Sequence, residues 1–219
     1  MSIFLLKIIA LITMFTDHLA IAAHGVIPIW MYYVMRGFGR LAFPIFAFCI
    51  VQGFIHTSSV KKYIIRMFAA ALISEVPFNM LNYGSFFSGT GCNIMFSFLI
   101  SLIVLWGISR IKERNVMGIL AVLAIVIIGA FAAWEIKSDY SFRCVILVAA
   151  MYITRFDKKT MLIASAVILL SDVNLIGLCA LFALIPIAMY NGKRGKSLKY
   201  LFYAFYPLHM LILGFFVMR

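Results

Sequence analysis

The chain is poor in negative charge. Seven Asp and Glu face nineteen Lys and Arg in 219 residues, and charged side chains make up only 12% of the total. Soluble domains carry about twice that share. With 65% hydrophobic residues and a mean hydropathy of +1.10, a soluble fold of this length has no place to hide its apolar surface. The four cysteines, Cys49, Cys92, Cys144 and Cys179, show neither paired nor metal-type spacing and fall in or beside apolar runs, which excludes a disulfide framework. No HExxH or CxxC occurs, no two histidines share a ligand spacing, and no metal is expected. A Gly-rich phosphate loop and a GxSxG nucleophile are also missing. So are polar linkers, low-complexity tracts and internal repeats.

What is present is a series of apolar runs separated by short polar loops. The expected fold is all-α, a single polytopic membrane helix bundle over residues 1–219. About nine spans are predicted: Ile3–Gly25, Phe38–His56, Lys62–Asn82, Cys92–Ile111, Val116–Ile136, Tyr140–Thr154, Lys159–Asp172, Leu175–Tyr190 and Lys199–Met218. The stretch Val26 to Gly37, with Trp30, Tyr32, Tyr33 and Arg36, suits the headgroup level. The first run is too long for a cleaved signal peptide. The net charge of +12 comes from clusters between spans, which argues for loops on one membrane face and against nucleic acid. Lys61, Lys62 and Arg66; Arg110, Lys112 and Arg114; Arg155, Lys158 and Lys159; and Lys193, Arg194, Lys196 and Lys199 fall at alternate connections. The N-terminus is therefore expected in the cytoplasm and the C-terminus outside.

Against this background the ionisable residues inside spans stand out, because each is costly there and faces protein or a wet cavity. Lys7 and His18 are eleven residues apart, within about 20° on one helical face and about 16 Å apart along the axis. Asp17 lies next to His18. On the expected topology Asp17, His18, Glu75, Arg36, Arg40, Asn93, Asp139 and Asp172 all fall toward the outer face, and His209 lies within the last span. His18 is the candidate base, with Asp17 or Glu75 supporting its charge; its alternative role is an inter-helix hydrogen bond. Glu75 precedes Pro77, which kinks the span, and is expected to pair with Arg40 or Arg36. Arg40 follows Gly37 and Gly39, where a backbone or ligand can approach closely; it or Asn93 is a candidate to stabilise an oxyanion. Asn93 is also a candidate helix cap. Tyr206 and His209 share a helical face across Pro207, as a second base or acceptor contact.

These words in this order resemble the TraX family, membrane proteins whose founding member N-acetylates F-type conjugative pilin. The resemblance rests on Lys7–Met14 leading to Asp17-His18, on Gly39–Phe48, on Ser74-Glu75-Val76-Pro77-Phe78, on Asn93–Ser97 and on Tyr206-Pro207-Leu208-His209. One departure is visible: the family tends to place a glycine after Asp-Tyr and another three residues later, whereas Asp139-Tyr140 is followed by Ser141 and then Cys144. The spacing of Lys7 and His18 is also similar to that in larger membrane acyltransferases, the acyltransferase-3 group and the lysosomal glucosaminide acetyltransferase.

The resemblance implies a bacterial inner-membrane enzyme that moves acetyl from cytosolic acetyl-CoA to an amine of an extracytoplasmic acceptor, a pilin-like peptide or a small molecule. It implies His18, Asp17 and Glu75 as catalytic, and Arg40, Asn93, Asp139, Tyr206 and His209 at the oxyanion or acceptor. Lys7 and Arg66 would meet the CoA phosphates. Two other readings stand beside it. Buried His, Asp and Glu also build proton relays, as in a small proton-coupled transporter, and a non-enzymatic membrane partner of a secreted peptide would need none of them.

Overall fold

The computed structural model describes residues 1–113, 115–171, 174–196 and 199–218; Arg114 and Asp172, placed above in a basic loop and at a span end, lie outside the described residues, as does the side chain of Lys199. Eleven α-helices and one 3₁₀ turn follow one another: α1 (Ile3–Ala22), α2 (Ile29–Gly39), α3 (Ala42–His56), α4 (Val60–Tyr83), α5 (Ile94–Ile108), α6 (Val116–Glu135), α7 (Ser141–Ile153), α8 (Lys158–Leu170), α9 (Leu175–Leu178), the 3₁₀ turn Cys179–Ala183, α10 (Leu184–Ala188) and α11 (Lys199–Val217).

Two merges reduce these to nine rods. Arg40 (φ −60°, ψ −20°) and Leu41 (φ −64°, ψ −27°) stay helical between α2 and α3, so Ile29–His56 is one apolar run of 28 residues. The headgroup segment expected before the second span is thus continuous with it. The ladder is interrupted at Arg40 and Leu41 because Pro44 has no N–H to return to the Arg40 carbonyl. In the same way Leu175–Ala188 forms a single apolar rod through its 3₁₀ turn. Among the described residues, four runs are long and apolar enough to cross a membrane: Ile3–Ala22, Ile29–His56, Val60–Tyr83 and Val116–Glu135. The fold is a helical membrane bundle.

Helix ends are closed by local chemistry. Ser2, Ser59, Asn93, Asn115, Asp157 and Asn174 each accept a backbone N–H of the turn they precede. Gly84 ends α4 at φ +61°, where a Cβ is unfavourable. Apolar side chains point both inward and outward. Leu6, Ile45, Leu102, Leu147 and Met210 are fully buried, while Ile119, Leu123, Ile127, Phe131 and Trp134 leave one side of α6 bare, as lipid-facing surface should be.

Direction matters for the site. Lys7 Nζ lies 5.0 Å from the Phe202 ring centroid, and eleven residues on His18 reaches His209, seven residues after Phe202. Helices α1 and α11 therefore run parallel, with Lys7 and His18 on one seam, as their shared face predicted. The N-terminus and the basic segment Lys193–Lys196 sit together at one end, joined by hydrogen bonds from Ile3 N to Lys193 O (2.9 Å) and from Phe4 N to Arg194 O (3.2 Å).

Candidate active site

Two cavities occupy the bundle interior. The first, about 230 Å³, lies at the end remote from Lys193 and is lined by Asp17, His18, Arg36, Arg40, Asp139, Tyr140 and Tyr206 among others. The second, about 320 Å³, opens at the basic end, where Lys7, Arg66, Arg194 and Lys196 line it beside Tyr63, Tyr190 and Tyr203. Four side chains border both: Phe46, Met95, Phe98 and Phe202. The cavities thus meet at an apolar waist.

In the first cavity two polar clusters are built from opposite sides of α1. Arg36 and Arg40 are four residues apart and share a face of their helix. Arg36 Nη1 is 2.7 Å from Asp17 Oδ2, and Arg40 Nη2 is 3.6 Å from the same oxygen. Gly39 is buried and allows this approach, with Asp17 directly against it, while the buried Gly37 faces Cys179 instead. Asp17 thus lies between two guanidiniums, and Asp139 brings a second carboxylate to the same cavity.

About 100° around the helix, His18 turns to α11. Its Nδ1 is 2.6 Å from His209 Nε2, and His209 Nδ1 is 2.6 Å from the Phe205 carbonyl oxygen. A carbonyl only accepts, so His209 Nδ1 carries the proton and the neutral His209 presents a lone pair at Nε2. His18 Nδ1 must then donate, which leaves the lone pair of His18 on Nε2. Phe15 and Phe205 wall the pair with ring centroids 6.0 and 4.8 Å from His209, and Tyr206, only 2% exposed, closes the other side. His18 is thus held in one tautomer with a basic nitrogen at a cavity-lining position.

The structure does not bring Glu75 and Asn93 to this cavity. Glu75 Oε2 accepts from Asn93 N (3.1 Å) and Nδ2 (2.5 Å), and Asn93 Nδ2 also donates to the Ala71 carbonyl (2.8 Å). Asn93 Oδ1 caps α5 through Met95 N at 3.0 Å, and the residue is fully buried. The two bind each other and tie α4 to α5. Glu75 does not pair with Arg36 or Arg40; Asp17 holds both, because α1 packs closer to that helix than α4 does.

Asp139 does line the cavity, with one oxygen accepting from Tyr140 N at 3.0 Å. Arg36 joins the site, as its place in the outer-face cluster predicted, and so does Tyr140, which the sequence did not single out as a site residue. Tyr140 stacks on Phe43 with ring centroids 3.9 Å apart, and its hydroxyl accepts from Arg40 Nη1 at 2.9 Å. A tyrosine at a loop in an apolar chain carries no signal of its own, whereas Arg36, one turn before Arg40, was findable by spacing. In the second cavity Arg66 lies 5.8 Å from the Tyr63 ring centroid, and its Nε is buried without a hydrogen-bond partner. Among the described residues no three His, Cys, Asp or Glu side chains converge as a metal site.

These features define an integral membrane protein with an ionised, histidine-bearing cavity inside its helical bundle. The chain belongs to the TraX protein family, whose profile matches residues 2–217. A similar protein is the "Probable fimbrial assembly protein FimC, serogroup H1" of Dichelobacter nodosus, 32% identical over 114 residues. That match covers 48% of this chain and 45% of the relative. No solved structure matches significantly.

Proposed function

We propose that the protein is a membrane-embedded acyltransferase that moves an acetyl group from cytosolic acetyl-CoA to an amine on the far side of a bacterial inner membrane. The observation that carries this reading is the pair of cavities that share one apolar border. One mouth is cationic and the other end holds a tautomerically fixed histidine. Family membership adds weight, since the founding TraX protein acetylates pilin, and the printed name of the Dichelobacter relative concerns fimbrial assembly.

The donor suits the second cavity. Lys7, Arg66, Arg194 and Lys196 supply charge for phosphates, and the unpartnered Arg66 Nε is a donor in search of an anion. From Lys7 to His18 the helix rises about 16 Å, the reach of an extended pantetheine arm crossing the waist. His18 Nε2 takes the proton from the amine as its nitrogen adds to the thioester carbonyl, and His209 orients the ring. The carbonyl then reforms, the carbon–sulfur bond breaks, and the leaving thiolate takes that proton back. Asp17 keeps Arg36 and Arg40 in place, so that cationic charge faces the oxygen that becomes negative.

The test is transfer of labelled acetyl from acetyl-CoA to a synthetic peptide with a free α-amino group, using the purified protein in liposomes, followed by mass spectrometry. His18→Ala is expected to lower turnover by about 10²–10⁴-fold without altering the thermal melt. Lys7→Ala with Arg66→Ala is expected to raise KM for acetyl-CoA. Absence of transfer by the parent protein overturns the proposal, and full transfer by a folded His18→Ala protein removes His18 as its base. Uptake driven by a pH gradient without acetyl-CoA would favour a transporter instead.

A further inference from the structure

The loop between α6 and α7 holds an unusual backbone. Lys137 (φ 50°), Tyr140 (φ 57°) and Ser141 (φ 45°) all lie in the left-handed region without being glycine, and Tyr140 and Ser141 are consecutive. Such conformations persist only where the surroundings impose them, and they gather at functional positions. Here the surroundings do impose them. Cys92 N donates to Lys137 O (3.2 Å) and Asp139 N to Cys92 O (2.9 Å), in a short bridge to the segment before α5. Ser97 Oγ donates to the Asp139 carbonyl at 2.5 Å, and Ser141 N to Ser138 O at 2.8 Å.

The outcome of this bracing is the position of one side chain. The Tyr140 ring lies on Phe43 at an interplanar angle of 17°, and its hydroxyl oxygen receives an N–H from Arg40. Arg40 is itself held by Asp17, the neighbour of His18. A guanidinium can only donate, so the hydroxyl proton of Tyr140 points elsewhere, and among the described residues no protein acceptor takes it. Tyr140 and His18 line the same cavity. A phenol polarised by a cation on its oxygen side is a stronger donor on its hydrogen side.

We propose that Tyr140 is a catalytic residue, donating its hydroxyl hydrogen to the acyl carbonyl oxygen. This rests on the acyl-transfer reading above. As the amine nitrogen bonds to the carbonyl carbon, the π pair of the C=O moves onto oxygen and Tyr140 Oη–H stabilises it there. The amine proton passes to His18 Nε2. The C=O bond reforms, the carbon–sulfur bond breaks, and the thiolate leaves with the proton from His18. Tyr140 keeps its own proton throughout, and the products are an amide and free CoA thiol.

Tyr140→Phe preserves the stack on Phe43 and removes only the donor. Its kcat is expected to fall by about 10²–10³-fold, the usual cost of one oxyanion donor, with KM for acetyl-CoA unchanged. A series with 3-fluorotyrosine and 3,5-difluorotyrosine at position 140 keeps the hydroxyl while making it more acidic, and kcat is expected to change in graded order with acidity. A tyrosine that only braces Arg40 would show no such trend. Turnover of Tyr140→Phe within about threefold of the parent, or a flat fluorotyrosine series, overturns the proposal. His18→Ala assayed in parallel separates the two ideas. If it is inactive while Tyr140→Phe is active, only the tyrosine role fails; if both are active, the roles of Tyr140 and His18 both fail; if the parent protein transfers no acetyl group, the acyl-transfer reading fails.

Discussion

A Cβ placed on Gly39 would lie 2.3 Å from the Cβ of Asp17 and 2.4 Å from its Oδ1. No side chain fits in that gap, so the closeness of α1 and α2 depends on a hydrogen atom. The salt bridges from Asp17 to Arg36 and Arg40 are formed across the same contact.

Gly39→Ala is therefore expected to push Asp17 aside and loosen both arginines. Overpacking of this kind costs about 1–3 kcal/mol, readable as a lower melting temperature in detergent. Acyl transfer is expected to fall more steeply than stability, since Arg40 carries Tyr140 with it. A variant that melts and turns over like the parent would show that the contact is not needed for the site.

Glu75 gives the opposite pattern. Its carboxylate is engaged by two N–H groups of Asn93, away from the cavity lining. Glu75→Gln keeps an acceptor for Asn93 but removes the charge that strengthens both bonds. The expected result is a stability loss of about 1 kcal/mol with kcat within a few-fold of the parent. A hundredfold drop in kcat at unchanged melting temperature would restore Glu75 to the chemistry.

Ser141 stands at φ 45°, and its Oγ is buried without a partner. Both features disfavour serine here. Ser141→Gly is expected to stabilise the protein by about 1 kcal/mol, because glycine occupies this backbone region freely and leaves no hydroxyl unsatisfied. Unfolding followed by tryptophan fluorescence in detergent checks the sign.

Much of this was visible before any coordinates. Hydropathy and the alternating basic loops marked the rods to within a few residues, because lipid leaves a chain few other solutions, except that the second rod begins at Ile29 and not at Phe38. Asp17, His18 and His209 could be singled out because ionisable groups at membrane depth are expensive. The eleven-residue spacing of Lys7 and His18 placed both on one helical face, and the structure shows α11 to be what that face packs against. Partners were harder. Arg40 was expected to pair with Glu75, and depth along the axis cannot say which helix stands next door; Gly39, with Asp17 directly against it, settled it for α1. Tyr140 was out of reach, since its position depends on a loop braced by Cys92, Ser97 and Ser138, residues with no chemical signature in the sequence.

The three phenylalanines and one methionine where the cavities meet have an electrical meaning. A water-filled bore through a bilayer short-circuits the gradients that a cell lives on. Hydrocarbon at the narrowest point denies ions a hydrated path, while a slim uncharged arm loses little by lying against it. On the proposed acyl-transfer reading, a bundle built this way would pass chemistry from one compartment to the other and still insulate.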